Sequence, residues 1–188
     1  MILGDNMFYG QHFGQMLRDA VKQVESGSCG ACIFGYEVQD PTAYGVVEFD
    51  ETGKVLSLEE KPKEPKSNYA IPGLYFYDST VCDKAAVLEP SARGEYEITD
   101  LNKVYLAEGK LQVKLFERGF AWLDTGNCDS LLDAGNSIAT IQNRQGFYVS
   151  CIEEIAWRQG WISTDELRAW GKAMEKTQYG QYLLRIAK

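Results

Sequence analysis

Apolar positions along the first three quarters of the chain alternate between helical and extended spacing. Residues 12–27 place apolar side chains three or four positions apart and end in Ser-Gly, which predicts a helix. The runs "ACIFGYEV", "AIPGLYFYD" and "LQVKLFE" are rich in β-branched and aromatic residues and predict strands. A hairpin is predicted in "YGVVEFDETGKVLSLEEKP", around Glu51-Thr52-Gly53. Strands interleaved with helices indicate an α/β fold.

Three more runs at helical spacing follow the hairpin. "STVCDKAAVL" and "EITDLNKVYLAEG" predict short helices, the second of them capped by Thr99. "NCDSLLDAGNSIATIQNRQG" predicts a longer helix with Leu131 and Leu132 facing inward.

The pattern changes near Gln145, after which almost every run predicts a helix. Ser163 and Glu166 have the spacing of a capping box, and Trp157, Trp161 and Trp170 are expected to pack these helices together. We therefore expect two domains, an α/β domain over residues 1–145 and a helical appendage over residues 146–188.

The first residues, "MILGDN", predict a site. Ile2 and Leu3 read as the tail of a buried strand, and Gly4-Asp5-Asn6 as the turn at its end. In open α/β sheets, ligands bind outside the carboxyl ends of strands. A second acidic turn follows "AWLD", where Asp124 ends a short apolar run.

Two carboxylates at strand ends could hold one Mg²⁺, a cation that prefers oxygen ligands. The alternative for Asp5 and Asp124 is that each caps the turn that follows it. Glu60 and Lys61, in "EEKP", could bind sugar hydroxyls and a phosphate, or belong to a solvated charged run. Arg93, in "SARGEYE", could bind a phosphate bidentately or lie on a surface loop.

Net charge and cysteine usage exclude several classes of protein. The formal charge of −8 disfavours nucleic acid and anionic lipid as partners. No run of about 20 apolar residues predicts a membrane span, and no signal peptide is apparent, so a cytoplasmic location is expected. The five cysteines do not suggest a disulfide framework. "CGAC" leads into a predicted strand, which favours buried small residues over a redox or zinc site.

Seven stretches together resemble the sugar-phosphate nucleotidyltransferase family, in particular its bacterial members that transfer thymidylate from dTTP to glucose 1-phosphate. In chain order they are "LGDNMFYG", "DPTAYGVVEFD", "SLEEKPKEPKSNYAIPGLYFYD", "PSARGEYEITDLNKVYL", "AWLDTG", "EEIAWRQGWI" and "YGQYLLR". The resemblance implies a Rossmann-like domain with a mixed, mostly parallel sheet. It also implies Mg²⁺ as cofactor, glucose 1-phosphate and dTTP as substrates, a role in nucleotide-sugar biosynthesis and a homo-oligomeric state.

The resemblance assigns roles by position. Asp5 and Asp124 match the family's Mg²⁺-binding pair, and Lys61 and Arg93 match its sugar-phosphate anchors; these four are the predicted catalytic residues. The predicted substrate-binding positions are Asn6, Tyr44, Gly45, Glu60, Ile71, Gly73 and Trp122. A regulatory nucleotide site, also a family feature, would comprise Tyr9, Gly10, Arg118, Gly119, Glu154 and Arg158.

The chain departs from the family pattern at its front. Family members begin with a strand and a Gly-rich loop of the type G-x-G-T-R-L-x-P, which cradles the triphosphate, and a later Gln and Gly recognise the base. The 188 residues contain neither feature. We therefore expect a chain that lacks the N-terminal nucleotide-binding segment and is impaired or inactive by itself. The alternatives are a UTP-using relative, a non-catalytic remnant that binds sugar phosphate or oligomerises, and, more remotely, a C-x-x-C redox protein.

Overall fold

The computed structural model describes residues 1–188, which form two compact units, Met1–Gly126 and Asn127–Lys188. The first unit combines a mixed sheet with helices, which confirms the predicted α/β class. A long helix at residues 128–145 packs within the second unit, whereas the sequence analysis assigned it to the first domain. No helix combines the length and apolar character needed to cross a membrane.

The first unit contains eight strands in two sheets. A two-stranded sheet pairs β1 with β8, and a six-stranded sheet has the order β4-β3-β5-β2-β6 with β7 also paired to β2. The strands are β1 (Asn6–Tyr9), β2 (Ala31–Glu37), β3 (Gly45–Phe49), β4 (Val55–Glu60), β5 (Tyr69–Ala70), β6 (Tyr75–Tyr77), β7 (Leu111–Leu115) and β8 (Ala121–Asp124).

The sheet is mixed, but the expectation that it is mostly parallel is wrong. Only β2 and β7 pair in parallel, and every other pairing is antiparallel. Connection length explains only part of this, because β5 and β6 also pair antiparallel with β2 although at least two strands lie between them in the chain. Parallel neighbours need a crossover of a dozen or more residues, and β2 and β7 are separated by several elements, whereas β3 and β4 are joined by a tight turn.

The first strand begins later than the sequence suggested. Ile2 forms only an isolated antiparallel bridge with Leu74, and both Ile2 and Leu3 are exposed. The turn at Gly4 leads directly into β1, which the sequence analysis did not identify. β1 and β8 pair in the register Asn6 opposite Asp124.

Core side chains pack on both faces of β2, which explains its continuous apolar run. Cys32 and Phe34 pack on one face with helix α1 (Phe13–Glu25), and Ile33 packs on the other with Val47. Cys29 and Cys32 are buried free thiols whose pKa values burial raises, to about 12 for Cys32. The "CGAC" motif is therefore part of the core.

Helices α2 (Val81–Ala86) and α3 (Ile98–Ala107) complete the first unit. The predicted cap of α3 is wrong by two positions. Glu97 occupies the N-cap position, and Thr99 lies inside the helix with its side chain buried.

The second unit is a helical cluster built around Leu167, Tyr182 and Leu183. Ser163 and Glu166 form the predicted capping box, and Asn127 and Ser130 form another. Its helices are α4 (Cys128–Gln145), α5 (Ile152–Arg158), α6 (Thr164–Ala173) and α7 (Gln178–Ile186).

Several apolar side chains of the second unit point to solvent, against expectation. Leu131 and Leu132 are exposed, and the one buried residue of α4 is the small Ala134. Of the three tryptophans, Trp157 packs against the core, whereas Trp161 and Trp170 are exposed.

Candidate active site

A cavity of about 210 Å³ opens where the two sheets of the first unit meet. Acidic, amide and aromatic side chains contribute to its wall, together with one lysine. The lining residues are Leu3, Asp5, Asn6, Ala43, Tyr44, Gly45, Glu60, Lys61, Ile71, Gly73, Tyr75, Ile98, Thr99, Trp122 and Asp124. The predicted metal pair, Lys61 and all the predicted substrate-binding positions thus lie around one space.

The pairing of β1 with β8 brings two acidic residues together that are far apart in the chain. Asn6 lies opposite Asp124, and the backbone N–H of Thr125 donates to the carbonyl of Asp5 at 2.8 Å. A methyl group placed on Gly126 would lie 3.2 Å from Asp124 Oδ1 and 3.7 Å from Asp5 Oδ2. The separation between these two carboxylate oxygens therefore cannot exceed the sum of the two distances.

The acidic pair fits a divalent cation that keeps part of its water shell. Neither carboxylate takes part in an ion pair with a lysine or arginine, and no third His, Cys, Asp or Glu joins them. Two carboxylates alone leave coordination positions free for water or for phosphate oxygens, which is how Mg²⁺ is commonly bound at phosphate-transfer sites. Gly126 leaves this space open because it carries no side chain.

Asn6 connects three walls of the cavity. Its Oδ1 accepts hydrogen bonds from the backbone N–H of Gly73 at 2.9 Å and from Trp122 Nε1 at 2.6 Å. Its Nδ2 donates to Asp5 Oδ1 at 2.8 Å. Because an amide oxygen accepts two hydrogen bonds, only one N–H of Asn6 remains for a ligand.

Tyr44 and Trp122 form an aromatic corner beside Asp124. Their rings meet edge to face with centroids 4.9 Å apart. Burial, followed by the negative charge of Asp124, raises the pKa of Tyr44. The Tyr44 hydroxyl therefore stays protonated at neutral pH and acts as a hydrogen-bond donor there.

Glu60 lies opposite Gly45 across the β3–β4 ladder. The hydroxyl of Thr99 donates to Glu60 Oε2. A methyl group on Gly45 would lie 2.9 Å from Thr99 Oγ1 and 3.3 Å from Glu60 Oε2. Glycine is thus required for the close approach of strand β3 to this hydrogen-bonded pair.

Lys61 has an unusual backbone conformation, with φ at +43°. A non-glycine residue rarely adopts the left-handed region, and such strain often occurs at functional sites. The backbone N–H of Lys61 donates to the carbonyl of Tyr44 at 2.9 Å, which holds the turn in place at the cavity wall.

Arg93 is the one predicted catalytic residue that does not line the cavity. Its guanidinium lies behind Glu60, with Nη2 3.9 Å from Glu60 Oε1. Its closest partner is Glu97, whose Oε1 accepts from Nη2 at 2.7 Å and from Nε at 3.1 Å. The structure thus places Arg93 beside Glu60 with its guanidinium held by carboxylates, and its role as a sugar-phosphate anchor stays a prediction.

The six positions predicted for a regulatory nucleotide site are divided between the two units. Arg118 and Gly119 line a second cavity of about 550 Å³ in the first unit, and Tyr9 and Gly10 lie at the end of β1. Glu154 and Arg158 belong to α5 of the second unit, where they form an ion pair at 2.7 Å.

Sequence reasoning missed five residues of the first cavity. Thr99 was interpreted as a helix cap and Tyr75 as part of a buried strand, although both contribute to the wall. The hydroxyl of Thr99 could have been suspected from its place in the matched stretch "PSARGEYEITD". Leu3, Ala43 and Ile98 carry no polar signal, and only the fold reveals them.

Comparison with known proteins places these residues in context. Residues 1–141 match the family model described as "Nucleotidyl transferase". The chain is 51% identical to the glucose-1-phosphate thymidylyltransferase of Neisseria meningitidis serogroup A over 188 residues, covering 100% of this chain and 64% of the relative. It is 56% identical to the enzyme of that name from Mycolicibacterium smegmatis over 186 residues, covering 99% of this chain and 63% of the relative. The chain thus spans less than two thirds of these relatives.

Solved structures show the same fold. A crystal structure from Bacillus anthracis, provisionally assigned as a glucose-1-phosphate thymidylyltransferase, superposes with a TM-score of 0.61 at 41% identity, covering 72% of this chain and 52% of that one. A UDP-glucose pyrophosphorylase complexed with UDP-glucose superposes with a TM-score of 0.63 at 21% identity, covering 74% and 55%, and this likeness concerns the fold alone.

Proposed function

Because the chain belongs to the nucleotidyl transferase family, we propose that it forms the sugar-phosphate part of a glucose-1-phosphate thymidylyltransferase. Such an enzyme joins dTTP and glucose 1-phosphate to give dTDP-glucose and pyrophosphate. The observation that carries the proposal is the cavity itself, whose wall includes the acidic pair Asp5 and Asp124 together with Glu60 and Lys61. The relatives named above support the choice of thymidylate and glucose.

The reaction would be a single in-line displacement. A phosphate oxygen of glucose 1-phosphate bonds to the α-phosphorus of dTTP, and the bond from that phosphorus to the bridging oxygen breaks, so that pyrophosphate leaves with the electron pair. The residues described form no evident nucleophile–base pair, so catalysis would depend on positioning and charge neutralisation.

Each side chain would have a defined part in this reaction. Asp5 and Asp124 would hold Mg²⁺, which supplies positive charge to the phosphate oxygens when it is bound. Lys61 would contribute a point charge to the sugar phosphate. Glu60 would accept hydrogen bonds from sugar hydroxyls, and the Trp122 indole would form an apolar wall beside the ring.

The 188 residues contain no G-x-G-T-R-L-x-P loop, so we expect them to bind glucose 1-phosphate yet turn over dTTP poorly without further chain. The base preference rests on the named relatives alone, and a UTP-using relative remains the alternative. A homo-oligomeric state and a cytoplasmic location also belong to this proposal. For oligomerisation, the support is the set of exposed apolar side chains in the second unit, Leu131, Leu132, Ile152, Ile155, Trp161 and Trp170.

A paired experiment tests the proposal. Glucose 1-phosphate is titrated by calorimetry into the 188-residue chain with Mg²⁺ present, and pyrophosphate release is measured with dTTP and with UTP. We expect saturable binding of glucose 1-phosphate and turnover far below the usual range of about 1–1000 per second. Glucose and inorganic phosphate serve as control ligands and should bind more weakly. Absence of glucose 1-phosphate binding would refute the proposal, and turnover with UTP above that with dTTP would favour the alternative.

A further inference from the structure

The Arg93 guanidinium lies among three carboxylates. Nη2 is 2.7 Å from Glu97 Oε1, 3.2 Å from Glu95 Oε2 and 3.9 Å from Glu60 Oε1. Three negative charges around one positive charge leave a local excess of negative charge. The guanidinium cannot pair equally well with all three carboxylates. The carboxylate that holds it most firmly determines the direction of its remaining N–H groups.

Glu97 is the carboxylate best placed to fix Arg93. Its side chain is 9% exposed, compared with 68% for that of Glu95. Glu97 Oε1 also accepts a hydrogen bond from Ser91 Oγ at 2.9 Å, and Ser91 Oγ accepts one from the backbone N–H of Arg93 at 3.2 Å. The hydrogen bond from Arg93 lowers the pKa of Glu97, which keeps this buried carboxylate ionised at neutral pH.

Glu60 links this cluster to the cavity. One of its carboxylate oxygens accepts from the buried Thr99 hydroxyl, and the other faces Arg93. Glu60 lines the cavity, whereas Glu97 and Arg93 do not. A continuous set of contacts therefore runs from Glu97 through Arg93 to the carboxylate that faces a ligand.

We propose that Glu97 is a positioning residue that acts through Arg93 to fix the Glu60 carboxylate, and thereby sets the affinity of the cavity for a sugar phosphate. This inference rests on the proposed function, since it concerns the same cavity. Glu97 itself touches no ligand in this arrangement. Its effect on binding reaches the ligand only through the other two side chains.

The first test is a double-mutant cycle with glucose 1-phosphate as the probe. Glu97→Gln keeps the shape of the side chain and removes its charge, and it should weaken binding about tenfold, because the hydrogen bonds from Arg93 lose the extra strength of an ionised acceptor. Glu97→Gln added to Glu60→Gln should cause less than about a twofold further loss, because coupled residues are not additive. Additive effects, or unchanged or tighter binding in Glu97→Gln, would overturn the proposal.

The matched control is Glu95→Gln. The substitution is chemically identical, and the carboxylate also lies near Arg93, but the side chain is largely in water. Exposed ion pairs contribute little, so binding should change less than about twofold. A loss equal to that of Glu97→Gln would show that only the local charge matters, and would contradict a positioning role.

A second readout needs no ligand. The Arg93 Nε–H group donates to Glu97, so its NMR signal, assigned with Arg93→Lys, should exchange with solvent about tenfold faster in Glu97→Gln and little faster in Glu95→Gln. Unchanged exchange would overturn the role of Glu97 whatever the binding data show. If the wild-type chain fails to bind glucose 1-phosphate while this signal responds as expected, the proposed function fails and the contact between Glu97 and Arg93 stands.

A milder variant covers the case in which Glu97→Gln does not fold. Ser91→Ala removes the hydroxyl that donates to Glu97 Oε1 and accepts from the backbone N–H of Arg93. We expect about a threefold loss of glucose 1-phosphate affinity, because Arg93 and Glu97 themselves remain and only the supporting hydrogen bonds of the hydroxyl are lost. We also expect the same lack of additivity with Glu60→Gln. A full additional threefold loss in that double variant would contradict the proposal.

Discussion

In the first unit, polar side chains of the cavity form hydrogen bonds with residues that are remote in the sequence. In the second unit, the helix caps are formed by residues within one helical turn of each other. Thr99 and Glu60 are 39 positions apart, and Trp122 and Asn6 are 116 positions apart. Ser163 and Glu166 are separated by three positions. The cavity of the first unit therefore depends on the register between strands, and the caps of the second depend on local sequence.

The difference also concerns how tightly atoms are packed. Gly126, in the turn beside the acidic pair, leaves space next to the carboxylate oxygens of Asp124 and Asp5. Gly180 in α7 does the opposite, because any side chain there would overlap the carbonyl group of Met174. Glycine thus leaves space beside the acidic pair at Gly126, whereas at Gly180, as at Gly45 of the first unit, it allows two segments to approach closely.

The largest expected effect is on the acidic pair of the first unit. Asp124→Asn should reduce catalysis about a thousandfold in the complete enzyme, because it removes one of the two charges proposed to hold the metal. The loss of one preorganised electrostatic group at a reacting centre lowers kcat by up to about a thousandfold. Its effect on the free energy of unfolding should be below about 0.5 kcal/mol. The measurements are pyrophosphate release and, on the 188-residue chain, Mn²⁺-induced broadening of the Trp122 indole N–H signal.

Asp133→Asn is the control for that variant. Asp133 is an exposed aspartate of α4 in the second unit, and the substitution makes the same change of charge. Broadening of the Trp122 signal should be the same as in the wild type. If Asp124→Asn retains both the broadening and the activity, the acidic pair does not hold the metal.

The second expected effect concerns packing in the second unit. Gly180→Ala should lower the free energy of unfolding by about 3 kcal/mol, because backbone atoms cannot move aside as a flexible side chain can. Besides Met174, the added methyl would meet the carbonyl oxygen of Gly171 at 2.9 Å. Denaturation followed by tryptophan fluorescence suits this measurement, since three of the four tryptophans lie in the second unit.

Gly135→Ala provides the contrast. Gly135 is also a helical glycine of the second unit, but nothing lies within 4 Å of a methyl group placed there. The substitution should therefore stabilise the chain by about 0.5–1 kcal/mol, since alanine favours the helix and restricts the unfolded chain. Equal destabilisation by both substitutions would show that close packing at Gly180 is not the cause.

The sequence predicted the features that depend on neighbouring residues better than those that depend on contacts between remote residues. Helix α1, strand β2, the β3–β4 hairpin and the Ser163 capping box depend on neighbouring residues, and all were predicted. Strand β1 was missed because four residues after a turn carry too little periodicity. The expectation of a mostly parallel sheet was wrong because apolar runs do not specify strand direction, and β5 and β6 pair antiparallel with β2.

The candidate site was predicted from a resemblance and not from local pattern. Nothing in the residues around Asp5 indicates that Asp124 lies beside it, since only the pairing of β1 with β8 brings the two together. The contact between Arg93 and Glu60 could not be predicted either. Glu97, four positions farther along the chain, holds the guanidinium, whereas Glu60 belongs to β4 and comes near Arg93 only when the chain folds.

The smallest expected effect is on a local cap of the second unit. Ser163→Ala should lower the free energy of unfolding by about 1 kcal/mol, the usual cost of losing an N-cap side chain. Ser163 Oγ accepts from the backbone N–H of Glu166 at 3.2 Å, and Glu166 Oε2 accepts in return from the backbone N–H of Ser163 at 2.7 Å. Ser163→Asp, which keeps an accepting oxygen at the cap, should restore most of the loss.

The pH dependence of the stability contributed by this cap tests how local it is, because the pKa of Glu166 determines whether that stability rises or falls with pH. Hydrogen bonds from the backbone and side chain of Ser163 lower the pKa of Glu166 in the folded chain. A carboxylate with a lowered folded pKa contributes stability that is present above its unfolded pKa, about 4.3, and is lost as the pH falls through the folded value. The stability difference between wild type and Ser163→Ala should therefore be larger at neutral pH than at about pH 3, in denaturant melts at both values. A difference that does not change with pH would mean that the hydroxyl alone, without the Glu166 carboxylate, stabilises the start of α6.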